Sequence, residues 1–136
     1  EFSVSRSFDH SRGFAMGQYV VNESEGRYQF NLCASNGHVA ISSIVYPSRH
    51  DAERGIEDLR REAPNANIED GTEKDFERVP APKFRIYQDL GGEYFFAFID
   101  ASGEDLALSH KYSEKESMLR RIERVMAECD SSVAMG

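Results

Sequence analysis

A chain of 136 residues with 16 basic and 24 acidic side chains, net −8, has room for one ordinary domain or two very small ones. Its 40% hydrophobic, 29% charged and 11% aromatic content excludes a disordered or collagen-like chain. The acidic balance argues against general attraction to nucleic-acid phosphates or anionic lipids, and apolar runs such as Tyr94 to Ile99 are far shorter than the roughly 20 residues of a membrane-spanning helix.

The chain opens at Glu1 rather than at a methionine, which fits a fragment, a processed product, or a cloning scar such as Glu1-Phe2. Residues 1–17 hold no apolar stretch of signal-peptide type, so the default expectation is a cytoplasmic location. Their charges cancel, and Phe2, Phe8 and Phe14 recur at a spacing that is neither helical nor strand-like. An extended or partly ordered arm is expected there.

From residue 18 an internal repeat organises the chain. Gly26-Arg27-Tyr28-Gln29-Phe30 returns as Gly92-Glu93-Tyr94-Phe95-Phe96, an offset of 66. The same offset relates Ser43 to Ser109, Tyr46 to Tyr112, Arg54 to Arg120 and Ile56 to Ile122. Upstream, Tyr19 and Val21 match Phe84 and Ile86 if the second copy has one extra turn residue, Leu90 or Gly91. The expected organisation is an arm (1–17) followed by one pseudo-symmetric domain (18–136). Within that domain come repeat 1 (18–70), a charged linker (71–82) ending in Pro80-Ala81-Pro82, and repeat 2 (83–134).

Each repeat reads as three strands, a helix and a short final strand. The first strand (18–22; 83–88) enters a turn at Glu25-Gly26 or Gly91-Gly92. The second alternates, with Tyr28, Phe30 and Leu32, or Tyr94, Phe96 and Phe98, facing inward. Asn36-Gly37 is a type I′ hairpin signal, matched by Ser102-Gly103. In the third strand the copies are out of phase, Val39 and Ile41 against Leu106 and Leu108. Ser48-x-x-Asp51 and Ser113-x-x-Glu116 read as helix capping boxes. Apolar stripes follow (Ala52, Ile56, Leu59, Ala63; Met118, Leu119, Ile122, Val125, Met126, Cys129), and final strands are expected at 66–69 and 131–134. A lone unit of about 50 residues buries too little apolar surface to be stable, so the two should share one sheet and one core.

The run Ser35-Asn36-Gly37-x-Val39-x-x-x-Ser43-x-x-Tyr46-x-Ser48, followed by Gly55-Ile56, resembles the signature of the YegP-like family of small, mostly bacterial, uncharacterised proteins. The second copy keeps Gly103, Ser109, Tyr112 and Ile122. That resemblance implies an α+β fold in which tandem β3-αβ repeats, or a dimer of single repeats, form one antiparallel sheet with exchanged C-terminal strands. It implies no catalytic activity, cofactor or established ligand. Arg121 departs from the pattern by standing where the first copy has Gly55, which should push the second helix outward or change its angle.

No catalytic constellation emerges. His10, His38, His50 and His110 are scattered without zinc-ligand spacing, so no metal site is expected. Cys33 and Cys129 read as packing residues, with neither a disulfide framework nor a neighbouring base. Two groups are candidate binding residues. Ser43 with Tyr46, and Ser109 with Tyr112, either close the core at the strand-to-helix corner or line symmetric grooves. Arg120, Arg121 and Arg124 form the only basic patch and suit an acidic ligand or partner, although Glu116, Glu123 and Glu128 dilute it. The expected function is a non-enzymatic binding or protein-interaction module, with no cofactor, nucleic-acid or membrane partner. Alternatives are an accessory domain of a larger protein or a small enzyme with an unrecognised pocket. An uncovered strand edge would favour homodimers through β-augmentation.

Overall fold

The computed structural model describes residues 17–34 and 36–133. The N-terminal arm, apart from Gly17, lies outside the described residues, as does the end of the final expected strand. In chain order the elements are β1 (Gln18–Ser24), β2 (Arg27–Cys33), β3 (Val39–Ser43), α1 (Arg49–Glu62), β4 (Asn67–Asp70), β5 (Lys83–Gln88), β6 (Tyr94–Ile99), β7 (Asp105–Leu108), α2 (Lys115–Glu128) and β8 (Ser132–Val133). A short 3-10 turn, Ala63–Asn65, lies between α1 and β4, where Pro64 cannot continue the helix.

The eight strands form one sheet in the order β4-β5-β6-β7-β3-β2-β1-β8. Its interior is antiparallel, and the two halves meet where Ser42 and Ser43 of β3 pair with Leu108 and Ala107 of β7. The sheet is mixed rather than wholly antiparallel. The edge strand β4 runs parallel to β5, and β8 parallel to β1. Each edge strand follows a helix, β4 after α1 and β8 after α2, and the parallel pair β4–β5 is joined by the twelve-residue segment 71–82.

One row across the sheet (Ser43, Ala107, Phe98, Phe84) is held in register by direct cross-strand pairing. It faces the same side as Phe30 and Leu32, and that side carries the helices. Ile56 and Leu59 of α1 and Met118, Ile122 and Val125 of α2 are fully buried in one cluster with those strand residues. Burying such side chains stabilises the fold by roughly 1.5–3 kcal/mol each. Ser48 caps α1 by accepting from the Asp51 amide at 3.1 Å. The second capping box does not form: α2 begins one residue later, with Glu114 at the cap and no side-chain hydrogen bond there.

The open question of the third strands is resolved and one further expectation is corrected. Leu108 faces the open side and is 45% exposed, whereas Leu106 is buried. Register shifts at Leu32/Cys33 and Phe98/Ile99 are β-bulges that turn Ala40 and Leu106 inward beside Ile41 and Ala107, which restores the equivalence of the two third strands. The type I′ turn is Glu25-Gly26, with φ of 53° and 79°, not Asn36-Gly37. In the Asn36-Gly37 turn only Gly37 is left-handed, and its amide donates to the Ala34 carbonyl at 2.9 Å.

Long-range hydrogen bonds close the C-terminal end. The buried Tyr19 hydroxyl donates to the Cys129 carbonyl at 2.5 Å, joining β1 to the end of α2. Replacing Tyr19 by Phe orphans that carbonyl, and urea unfolding should show a loss of about 1 kcal/mol.

Candidate functional site

The residues singled out from the sequence separate into a structural pair and a surface group. The Ser43 hydroxyl accepts from the Phe30 amide at 2.9 Å and donates to the Ile44 carbonyl at 2.7 Å. Ser109 repeats this with the Phe96 amide at 2.9 Å and the His110 carbonyl at 2.7 Å. Both hydroxyls are thus engaged in finishing the sheet where β3 and β7 end.

Tyr46 and Tyr112 occupy equivalent corners. Each pairs its backbone with a β2 or β6 tyrosine, Tyr28 or Tyr94, and each packs its ring against the core. Their hydroxyls meet different surroundings. Tyr46 lies under α1 against Gly55, where an added Cβ would overlap the Tyr46 hydroxyl and stand 2.8 Å from its ring carbon. Burial, then the carboxylates of Asp58, Asp100 and Asp51, push the Tyr46 phenol up to about 12. At the matching place in α2 stands Arg121, whose Nε donates to the Tyr112 hydroxyl at 3.2 Å.

Around Tyr112 lies an open groove of about 610 Å³. One wall is α2, bearing Arg120, Arg121 and Arg124; the other is the turn after β2, with Ala34 and Asn36. All three arginines of the basic patch therefore meet one of the four hydroxyl residues, Tyr112. Arg124 forms an ion pair with Glu128 at 2.7 Å, and Arg120 reaches only the Ser117 hydroxyl, at 3.4 Å. Among the described residues neither Arg120 nor Arg121 has a carboxylate partner. Arg120 is exposed and Arg121 half-buried, so two guanidinium groups with unused donors face a concave, partly desolvated surface. Such forks suit planar oxyanions, above all carboxylates.

The opposite wall was not legible in sequence, because Asn36 and Arg121 come together only through the pairing of β3 with β7. At the 66-residue offset Ser117, Arg121 and Arg124 of α2 stand where α1 has Asp51, Gly55 and Asp58. The matching corner of the first half is accordingly acidic.

Among the described residues no group of three or more His, Cys, Asp or Glu is arranged to hold a metal ion, and no helix is long and apolar enough to cross a membrane. Burial pushes the Cys33 thiol up, and the Cys129 thiol to about 11, which leaves both poor nucleophiles at neutral pH.

A family model described as a domain of unknown function, DUF1508, matches residues 23–70. The chain is 26% identical over 120 residues to the UPF0339 protein YegP of Yersinia pestis, covering 88% of this chain and 94% of that one. It is 44% identical over 43 residues to the UPF0339 protein Atu0232 of Agrobacterium fabrum, covering 32% of this chain and 69% of that one. Among solved structures, the solution structure of the protein of unknown function yegP from E. coli matches with a TM-score of 0.70 at 24% identity, covering 88% of this chain and 92% of that one.

Proposed function

The chain belongs to the UPF0339, YegP-like family, and from that premise we propose that it is a non-enzymatic binding module whose α2 groove takes an acidic protein segment. The observation that carries this reading is the pair Arg120 and Arg121, set beside Tyr112 in a groove whose lining also holds Glu123, neither of them in an ion pair among the described residues. A net charge of −8 makes such a patch conspicuous and opposes any anionic partner at long range, so the groove's attraction to an acidic segment is short-range. The two thiols, raised by burial, fit packing better than catalysis.

A glutamate-rich peptide titrated into isotope-labelled protein tests the reading by amide chemical shifts. Shifts should concentrate on α2 and the Asn36-Gly37 turn, weaken with added salt, and vanish in Arg120→Glu/Arg121→Glu. Both side chains reach solvent, so that variant should keep the wild-type fold. Undiminished shifts in the variant, or none in the wild type, would overturn the assignment.

A further inference from the structure

The turn joining β5 to β6 carries a feature the fold does not use. Leu90 is fully exposed at its tip, the most exposed large apolar side chain among the described residues. The matching turn of the first half, Glu25-Gly26, has two residues and no apolar one. The second turn is longer by one: the Gly92 amide donates to the Asp89 carbonyl at 3.0 Å, and the Asp89 amide to the Glu93 carbonyl at 2.9 Å. The extra residue lets Leu90 project as a knob. Asp89 is held by Lys111 at 2.8 Å, whereas Glu93 is exposed and, though its charge also acts on Lys111, makes no ion pair among the described residues.

This knob and the basic groove share one end of the molecule. Each step from β2 through β3, β7 and β6 to β5 is antiparallel, so β2 and β5 run in the same direction. The turns that follow them, one bearing Asn36 and the other Leu90, therefore lie at the same end of the sheet. Tyr112, in the groove, pairs its backbone with Tyr94, four residues beyond Leu90. The knob is convex, apolar and flanked by the exposed Glu93 carboxylate. The groove is concave, has the small side chains of Ala34 and Ala127 and the Glu123 carboxylate among its lining, and holds the Arg120 and Arg121 guanidinium groups, neither in an ion pair among the described residues.

We infer that a second copy of this chain is the groove's occupant: the Leu90 turn of each protomer enters the α2 groove of the other, with Glu93 meeting Arg120 and Arg121, to form a two-fold dimer. This rests on the groove accepting carboxylates, and it adds the partner. Because knob and groove lie at one end, one two-fold axis makes both contacts at once, the self-complementary arrangement of a closed dimer. The overall charge of −8 opposes association, so the contact is local and weak.

Sedimentation across protein concentration and salt tests it. Wild type should dimerise, with a dissociation constant that rises with salt. Leu90→Ser and Arg120→Glu/Arg121→Glu should each weaken the dimer by about tenfold or more. An equimolar mixture of the two variants should form more dimer than either alone, since it restores one intact knob facing one intact groove. A monomeric wild type, a dimer indifferent to Leu90→Ser, or no gain on mixing would overturn the inference. Peptide shifts on α2 that persist in a monomeric wild type would leave the groove's acidic-segment reading standing; loss of both would remove the two together.

Discussion

Replacing Glu69 by Gln should cost about 3 kcal/mol at pH 7, and the cost should fade as the pH is lowered. Glu69 lies on β4 with its side chain fully buried. Its carboxylate accepts from Lys83 at 2.8 Å, from the Val79 amide at 2.9 Å and from Arg85. Burial alone would raise this carboxyl. The Lys83 hydrogen bond, the Val79 amide and the charges of Lys83 and Arg85 outweigh that and hold it below the usual range. Glutamine keeps the shape but leaves two cations, only 13% and 18% exposed, without their counter-charge.

A carboxyl with a lowered folded-state pKa contributes stability that is complete above its unfolded value and lost as pH falls through the folded one. Glu69 therefore stabilises at neutral pH, and acid removes its contribution. Asp70 acts in the same direction: burial raises its carboxyl, but Lys115 at 2.6 Å and Thr72 lower it further. Together these residues pin the segment 71–82 across the edge of the sheet, where Arg85 also stacks over the Phe76 ring at 5.0 Å. Urea unfolding of wild type and Glu69→Gln at pH 7 and pH 3 checks this, with hydrogen exchange at Val79 as the local readout. An equal difference at both pH values would mean that the charge is not what Glu69 contributes.

How far the sequence disclosed this molecule depends on the range of each signal. Alternation in Tyr28–Leu32 and the stripe Ile56–Leu59 are local consequences of strand and helix geometry, and both survive in the structure. The Ser48 cap is equally local. The bulges at Ala40 and Leu106 break the two-residue period they sit in, so periodicity leaves the inward face of the third strands open. The loop chemistry of Asn36-Gly37 was misread because the hairpin inserts a turn plus one left-handed glycine, which the same dipeptide also serves. Arg120, Arg121 and Arg124 stood out as a patch, since their spacing puts them near one another on a helix. The wall facing them comes from the other half of the chain, and no local pattern carries that information. The Glu69 network was also invisible, because Glu69 meets Arg85 only through the parallel pairing of β4 with β5.

Gly55→Ala should destabilise the fold by about 2 kcal/mol, despite replacing the weaker helix former by the best one, a change worth close to 1 kcal/mol in favour at an exposed site. At this buried position the new methyl meets the Tyr46 hydroxyl and ring, with Phe30 at 3.2 Å behind them. Tyr46 cannot retreat, because its ring is stacked on Phe30 at 6.3 Å between centroids and its backbone is fixed to Tyr28. The clash is pairwise, so its cause can be isolated. In Tyr46→Leu the same Gly55→Ala change should be nearly neutral, giving a coupling of about 1–2 kcal/mol in a double-mutant cycle. Arg121→Ala in α2 serves as the matched control: the equivalent position already holds a side chain, and the substitution should cost less than about 1 kcal/mol. Additive effects of Gly55→Ala and Tyr46→Leu would show that the glycine is there for another reason. Strong coupling would identify the Tyr46–Gly55 contact as what sets the distance of α1 from the sheet, and would leave α2 free to carry Arg121 into the groove.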